Sequence, residues 1–160
     1  MTTTDDAVKP AAAEKKTQLE DKWGKKVIDA GYTSFPDVII KYQQRLKLKP
    51  LDMNVLLHLL SYWWTAPNLP RPSKKTLAAA INVDPSTVRR CLQKLEKAGY
   101  LTRIEHRKKY GSRPNEYNLQ GLVKALQPLA LEELEEIRKK KARSLAKAEG
   151  KKLPKLQLVK

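Results

Sequence analysis

The run INVDPSTVRRCLQKLEKAGYLTR, residues 81–103, changes its periodicity twice within a few turns of chain. Asn82-Val83 reads as a corner, Asp84 as a helix N-cap and Pro85 as the first helical residue. Val88, Leu92 and Leu95 then recur on one helical face, Gly99 ends the helix, and Leu101 and Ile104 continue as a strand. With Val88, Leu92 and Leu95 turned into a core, Ser86, Arg89, Arg90, Gln93 and Lys97 point outward. A short helix sealed on one side and cationic on the other, tied to a strand, is compatible with few folds.

The residues before it complete a unit. Ser73 caps a short helix over 74–81 carrying Leu77, Ala78 and Ile81, and the next helix follows after a tight turn. Two helices meeting steeply need a small residue at the crossing, which Ala78 supplies. They also need a residue that tolerates positive φ at the corner, and Asn82 meets that need. Val83 plugs the corner and Val88 packs back on Leu77. Past the second helix, KAGYLTRIEHRKKYGSRPNEYNL reads as two strands over residues 100–119, with Gly111 and Pro114 in the connection and Arg107, Lys108, Lys109 and Arg113 at the tip.

The charge is concentrated. Of a net +16 over 160 residues, segment 71–114 holds 12 basic against 3 acidic residues and segment 138–160 holds 10 against 1. Basic blocks of this density favour polyanions, because neutralising phosphates releases condensed counterions. A membrane surface is disfavoured by the absence of a long apolar run, a signal peptide or a lipidation motif, so a soluble cytoplasmic protein is expected. The single Cys91 excludes an internal disulfide and sits among core residues. His58 and His106 are the two histidines, so no metal ligand set and no cofactor is expected. No phosphate loop, nucleophile elbow or clustered carboxylate–histidine set marks an enzyme.

Around this unit the chain divides into a disordered tail (1–13), a domain with an N-terminal helix (14–128), a charged C-terminal helix (129–149) and a basic tail (150–160). Leu19, Trp23 and Val27 share one face of a helix over 14–30, with Gly24 in its middle and Gly31 at its end. Ser34-Phe35-Pro36-Asp37 reads as the start of a helix running to about Leu46, with Ser34 as its cap. Residues 51–64 form a nearly all-apolar central helix. Leu56, Leu59 and Trp63 lie on one face and Met53, Leu57 and Trp64 on another, so both faces require partners: the Trp23 helix or a second subunit. APNLPRP, residues 66–72, is a loop, and Pro128 stops the helix begun at Leu119. The last helix runs from glutamates to lysines in agreement with its dipole, and Lys141 breaks its short apolar seam of Leu131, Leu134 and Ile137.

A helix about 10 to 12 Å across fits a major groove about 12 Å wide, so the outward residues of the second helix can reach base edges. LAAAINVDPSTVRRCLQKLEKAGYLTR followed by RPNEYNL resembles the winged helix-turn-helix domain of bacterial transcription regulators. It is also similar to the DNA-binding domains of plasmid and phage replication initiators. The resemblance spans about residues 33–127 and implies a mostly α fold with a small β-wing, a winged helix-turn-helix with extra N- and C-terminal helices. It implies double-stranded DNA as partner, with the second helix in the major groove and the wing beside it. The recognition-helix contacts are then Pro85, Ser86, Thr87, Arg89, Arg90, Gln93, Lys94 and Lys97. Backbone and wing contacts are Arg71, Lys74, Lys75, Arg103, Arg107, Lys108, Lys109 and Arg113.

The length leaves no room for a large effector domain or a second winged helix. The expectation is therefore a non-enzymatic regulator of transcription, a repressor by occlusion, working as a homodimer on the nucleoid. A protein partner could dock on the N- or C-terminal helix. The alternatives are a plasmid or phage replication or maintenance factor binding origin repeats, and a winged-helix module for protein interaction.

Overall fold

The computed structural model describes residues 18–105 and 114–150, with side chains to 147. The chain forms two compact units, Met1–Ser34 and Phe35–Lys160.

In the first unit the expected single helix is two. Helix α1 covers residues 18–23 and α2 Lys25–Asp29, because Gly24 takes φ 85°, a left-handed backbone that interrupts the hydrogen-bond ladder. Ile28 is buried, whereas Trp23 and Val27 are more than half exposed.

The second unit contains α3 (Asp37–Lys41), α4 (Pro50–Ser61), α5 (Lys74–Ile81), α6 (Pro85–Lys97), β1 (Thr102–Ile104), β2 (Glu116–Asn118) and α7 (Gln120–Gly150). This is a mostly helical fold with one antiparallel β pair, Arg103 standing opposite Tyr117. Its core gathers Ile39 from α3, Val55, Leu56 and Leu59 from α4, Leu77 from α5, Val88, Leu92 and Leu95 from α6, Leu101 and Tyr117 from the wing, and Leu119, Leu122 and Leu129 from the α7 region.

Three expectations are corrected here. Helix α3 starts after Pro36 with no side-chain cap from Ser34. It also ends at Lys41 rather than Leu46; turns follow, closed by Leu46 N–H to Tyr42 O (3.0 Å) and Leu48 N–H to Gln43 O (3.1 Å), with Lys47 at φ 53°. The central helix ends at Ser61, short of Trp63 and Trp64; it covers its Leu56 and Leu59 face, but Leu57 on the other is 44% exposed, and Trp64, beyond the helix, is 74% exposed.

Pro128 lies inside α7 instead of ending it. A proline there removes the hydrogen bond to the Lys124 carbonyl and crowds it, at a cost of about 3 kcal/mol. The helix continues because the residues beyond are anchored: Leu129 is buried, Lys41 Nζ reaches Glu133 at 2.6 Å and Arg45 grips Glu132 with both guanidinium nitrogens. At its other end α7 begins against the corner after α6. A Cβ on Gly121 would stand 1.9 Å from the Gly99 carbonyl oxygen, and Leu122 N–H bonds Tyr100 O at 2.8 Å.

Candidate nucleic-acid interface

Local chemistry fixes the pair α5–α6. Ser73 Oγ accepts from Thr76 N–H at 3.0 Å and starts α5. Asn82 closes α5 in the left-handed region at φ 57°, ψ 52°, and Val83 N–H returns to the Ala78 carbonyl at 3.0 Å. Ala78, only 2% exposed, permits the close crossing of α5 and α6. Asp84 Oδ1 accepts from Ser86 N–H at 2.7 Å. Hydrogen bonds from the Ser86 side chain and backbone hold the Asp84 carboxyl below its ordinary range, so this cap is charged at neutral pH. Gly99 ends α6 at φ 76°.

Helix α6 is sealed by Val88, Cys91, Leu92 and Leu95. Burial, and then the nearby Asp52, push the Cys91 thiol up, so it stays protonated as a core group. On the far side Pro85, Arg89, Arg90, Gln93 and Lys97 are exposed, with Ser86 and Thr87 half-buried. The Arg90 guanidinium reaches Ser86 Oγ at 3.5 Å. At about 100° per residue, Ser86, Arg90, Gln93 and Lys97 fall on one line opposite Val88.

Lys94 is placed differently from its helix neighbours. Its ammonium is bound by the buried Asp52 carboxylate of α4 and donates to the Lys47 carbonyl at 3.3 Å, which ties α6 to α4. The contact replaces solvent around Asp52, which would otherwise be a lone charge 2% exposed.

The remaining cations occupy three places. Arg71 is 63% exposed and pairs through Nε with Glu116 Oε1 at 3.0 Å, beside the bond from Tyr117 N–H to Pro70 O (3.0 Å) that ties the loop to β2. Lys74 and Lys75 stand in the first turn of α5, Lys75 exposed and Lys74 half-buried. Arg103 is 26% exposed and turned to Glu105 at 3.4 Å and Glu96 at 3.9 Å, with its Nε buried and without a hydrogen bond among the described residues. Arg107, Lys108, Lys109 and Arg113 lie outside the described residues, as does His106.

One candidate cation escaped the sequence reading. Lys49 immediately precedes α4 and lines a cavity shared with Thr87, Arg90 and Lys94. Only the packing of α4 on α6 brings it there, and no pattern around Lys49 signals that packing.

Residues 46–101 match the family model of a helix-turn-helix domain. Among solved structures, the N-terminal domain of DnaD protein from Geobacillus kaustophilus HTA426 is similar at 16% identity and a TM-score of 0.47, over 79% of this chain and 94% of that one. The transcriptional regulator PA3341 is similar at 18% identity and a TM-score of 0.38, over 87% and 98%. AbfR in its disulfide form is similar at 11% identity and a TM-score of 0.39, over 88% and 98%. No curated protein sequence matches the chain. Over residues 46–101 the chain is thus similar to a helix-turn-helix domain, with α5 and α6 in the places of its two helices, and the fold is mostly helical with the β1–β2 pair following as a wing.

Proposed function

We propose that the chain binds double-stranded DNA sequence-specifically through α6 and regulates transcription, as a repressor that occludes its site. The observation that carries this reading is the line of exposed Arg90, Gln93 and Lys97, continued by the half-buried Ser86, on a helix locked into the core along its other face. Arginine can grip guanine bidentately, glutamine suits adenine, and a rigid helix delivers both without an ordering penalty. Arg71, Lys74, Lys75 and the wing cations Arg107, Lys108, Lys109 and Arg113 would contact the backbone. The protein would then work in the cytoplasm, on the nucleoid when bound.

A homodimer fits this reading. On α7 the side chains of Leu131, Leu134, Ile137 and Leu145 are 48–64% exposed, and an antiparallel copy would set the acidic segment 132–136 beside the basic segment 138–147. A two-fold dimer would occupy half-sites about 34 to 36 Å apart, one helical turn.

Binding assays across salt, on a selected site and on scrambled duplex, test the reading. Arg90→Ala should cost about 1 to 3 kcal/mol on the selected site and relax base preference. Lys109→Ala should weaken all sequences alike and flatten the salt dependence. Identical behaviour of the two variants would sink the division into base reader and phosphate contact. A footprint of repeated direct sites at an origin, in place of paired half-sites, would move the role to replication.

A further inference from the structure

Beside the exposed line of α6 lies a cationic recess. The first turn of α4 packs against the middle of α6, and a cavity of about 380 Å³ opens between them, with Lys49, Thr87, Arg90 and Lys94 grouped around Asp52. Asp52 is already committed: Oδ2 accepts from Lys49 N–H at 2.8 Å and also binds the Lys94 ammonium. Among the described residues no other carboxylate lines the cavity, so three cationic residues share it with one anionic one. Arg90 bonds within the chain only weakly, to Ser86 Oγ at 3.5 Å among the described residues. Converging like charges raise the local potential, and a concave, partly desolvated site focuses it.

The position of the recess relates it to the DNA-reading face. At about 100° per residue, Lys94 is about 40° and Thr87 about 60° around α6 from Arg90, both on the flank that faces α4. A duplex seated on Ser86, Arg90, Gln93 and Lys97 presents one edge of its groove, and therefore one phosphate backbone, along such a flank. We infer that the recess between α4 and α6 receives a backbone phosphate of the bound duplex, held by the Lys49 ammonium and the Thr87 hydroxyl. The Lys94 charge, fixed by Asp52, adds to the attraction without moving. Arg90 stands at the boundary and remains directed to the base edge. This deepens the DNA reading and rests on it, and it adds Lys49 as a residue that sets how far α6 enters the groove.

The experiment uses the full chain and a mixed-sequence duplex of about 30 base pairs, with affinity measured as a function of salt. Lys49→Gln should lower affinity about three- to tenfold at low salt and reduce the steepness of the log–log salt plot by about one, since one phosphate contact is lost. Thr87→Val should lower affinity less and leave the slope nearly unchanged. Preference for a selected site over scrambled duplex should stay as in the wild type for both variants. Lys124→Gln, which removes an equal charge from the exposed side of α7, should alter the slope less than Lys49→Gln. The Lys49 side chain is exposed and its cap uses backbone N–H, so the thermal midpoint serves as a check that the fold is kept. Wild-type binding with an unchanged slope in Lys49→Gln overturns the phosphate recess and leaves the DNA reading standing. A changed base preference in Lys49→Gln overturns it as well, by making Lys49 a base reader. Failure of the wild type to bind any duplex removes both.

Discussion

Helices α6 and α7 both carry many cations, and they hold them in opposite ways. On α6 the exposed cations lie on the half of the helix away from the core: Arg90 and Lys97 on a line opposite Val88 and Arg89 about a quarter turn to one side, while Lys94, on the other flank, is tied to Asp52. On the basic half of α7, Arg138, Lys139, Lys140, Lys141, Arg143 and Lys147 circle the whole helix, and Lys139 pairs with Glu136 at 3.0 Å one turn away. Aligned charge on a rigid face can meet one straight polyanion along its length. Charge spread around a helix mainly keeps that helix in water. Direction, more than amount, separates a candidate interface from a solvated surface, even though segment 138–160 matches segment 71–114 in net charge.

The sharpest way to break this comparison is to exchange apolar residues on the two helices. Leu95 is 1% exposed on the sealed face of α6, while Leu134 is 51% exposed on α7. Leu95→Ala should destabilise the fold by about 3 kcal/mol, through lost transfer energy and the cavity left behind. Leu134→Ala should stay within about 0.5 kcal/mol for a monomer at low concentration. Urea titration measures both. Equal losses would show that α7 is sealed as α6 is and that its exposed stripe has a partner within the chain.

A smaller effect separates the cations. Lys140→Gln combined with Lys141→Gln should change the salt slope of duplex binding by less than about one, although two charges are removed. A drop of about two would make the basic half of α7 a second phosphate clamp and erase the distinction drawn from its geometry.

The same contrast governs what could be read from the sequence. The α5–α6 pair was legible almost residue by residue, because Ser73, Asn82, Asp84, Pro85 and Gly99 each act on backbone within four residues, and the 3.6-residue period sorts the faces of α6. Contacts between distant segments were not. Lys94 is expected among the recognition-helix contacts but is captured by Asp52, 42 positions away, and nothing near either residue announces the pairing. Pro128 reads as a stop on local grounds, and only the docking of α7 on α3, across about 90 positions, outweighs it. Gly24 failed in the other direction. The sequence places it in the middle of one helix, and in this short solvent-exposed stretch its positive φ divides that helix in two.

That α3–α7 docking yields the smallest predicted effect, and its sign can be worked out. The hydrogen bond from Lys41 holds the Glu133 carboxyl below its ordinary value of 4.5, with a further bond from Tyr42 Oη at 3.2 Å. Arg45 does the same to Glu132. Both carboxyls have lower pKa values folded than unfolded, so the unfolded chain binds protons more readily as acid is added. Their stabilising contribution is complete above the unfolded value of 4.5 and disappears as pH falls through the lower folded values. Glu133→Gln should therefore lower the urea midpoint slightly near neutrality and converge with the wild type as pH falls below the ordinary 4.5 and through the lowered folded value. Because both pairs are solvent-accessible, added salt should shrink the difference as acid does. Far-UV circular dichroism of the same variant bears on Pro128, since weaker anchoring of residues 129–133 should fray the helix beyond the proline before the α5–α6 core melts. A midpoint gap that widens in acid would mean that Glu133 is held protonated in the fold, and the pair with Lys41 could not then be what carries α7 past its proline.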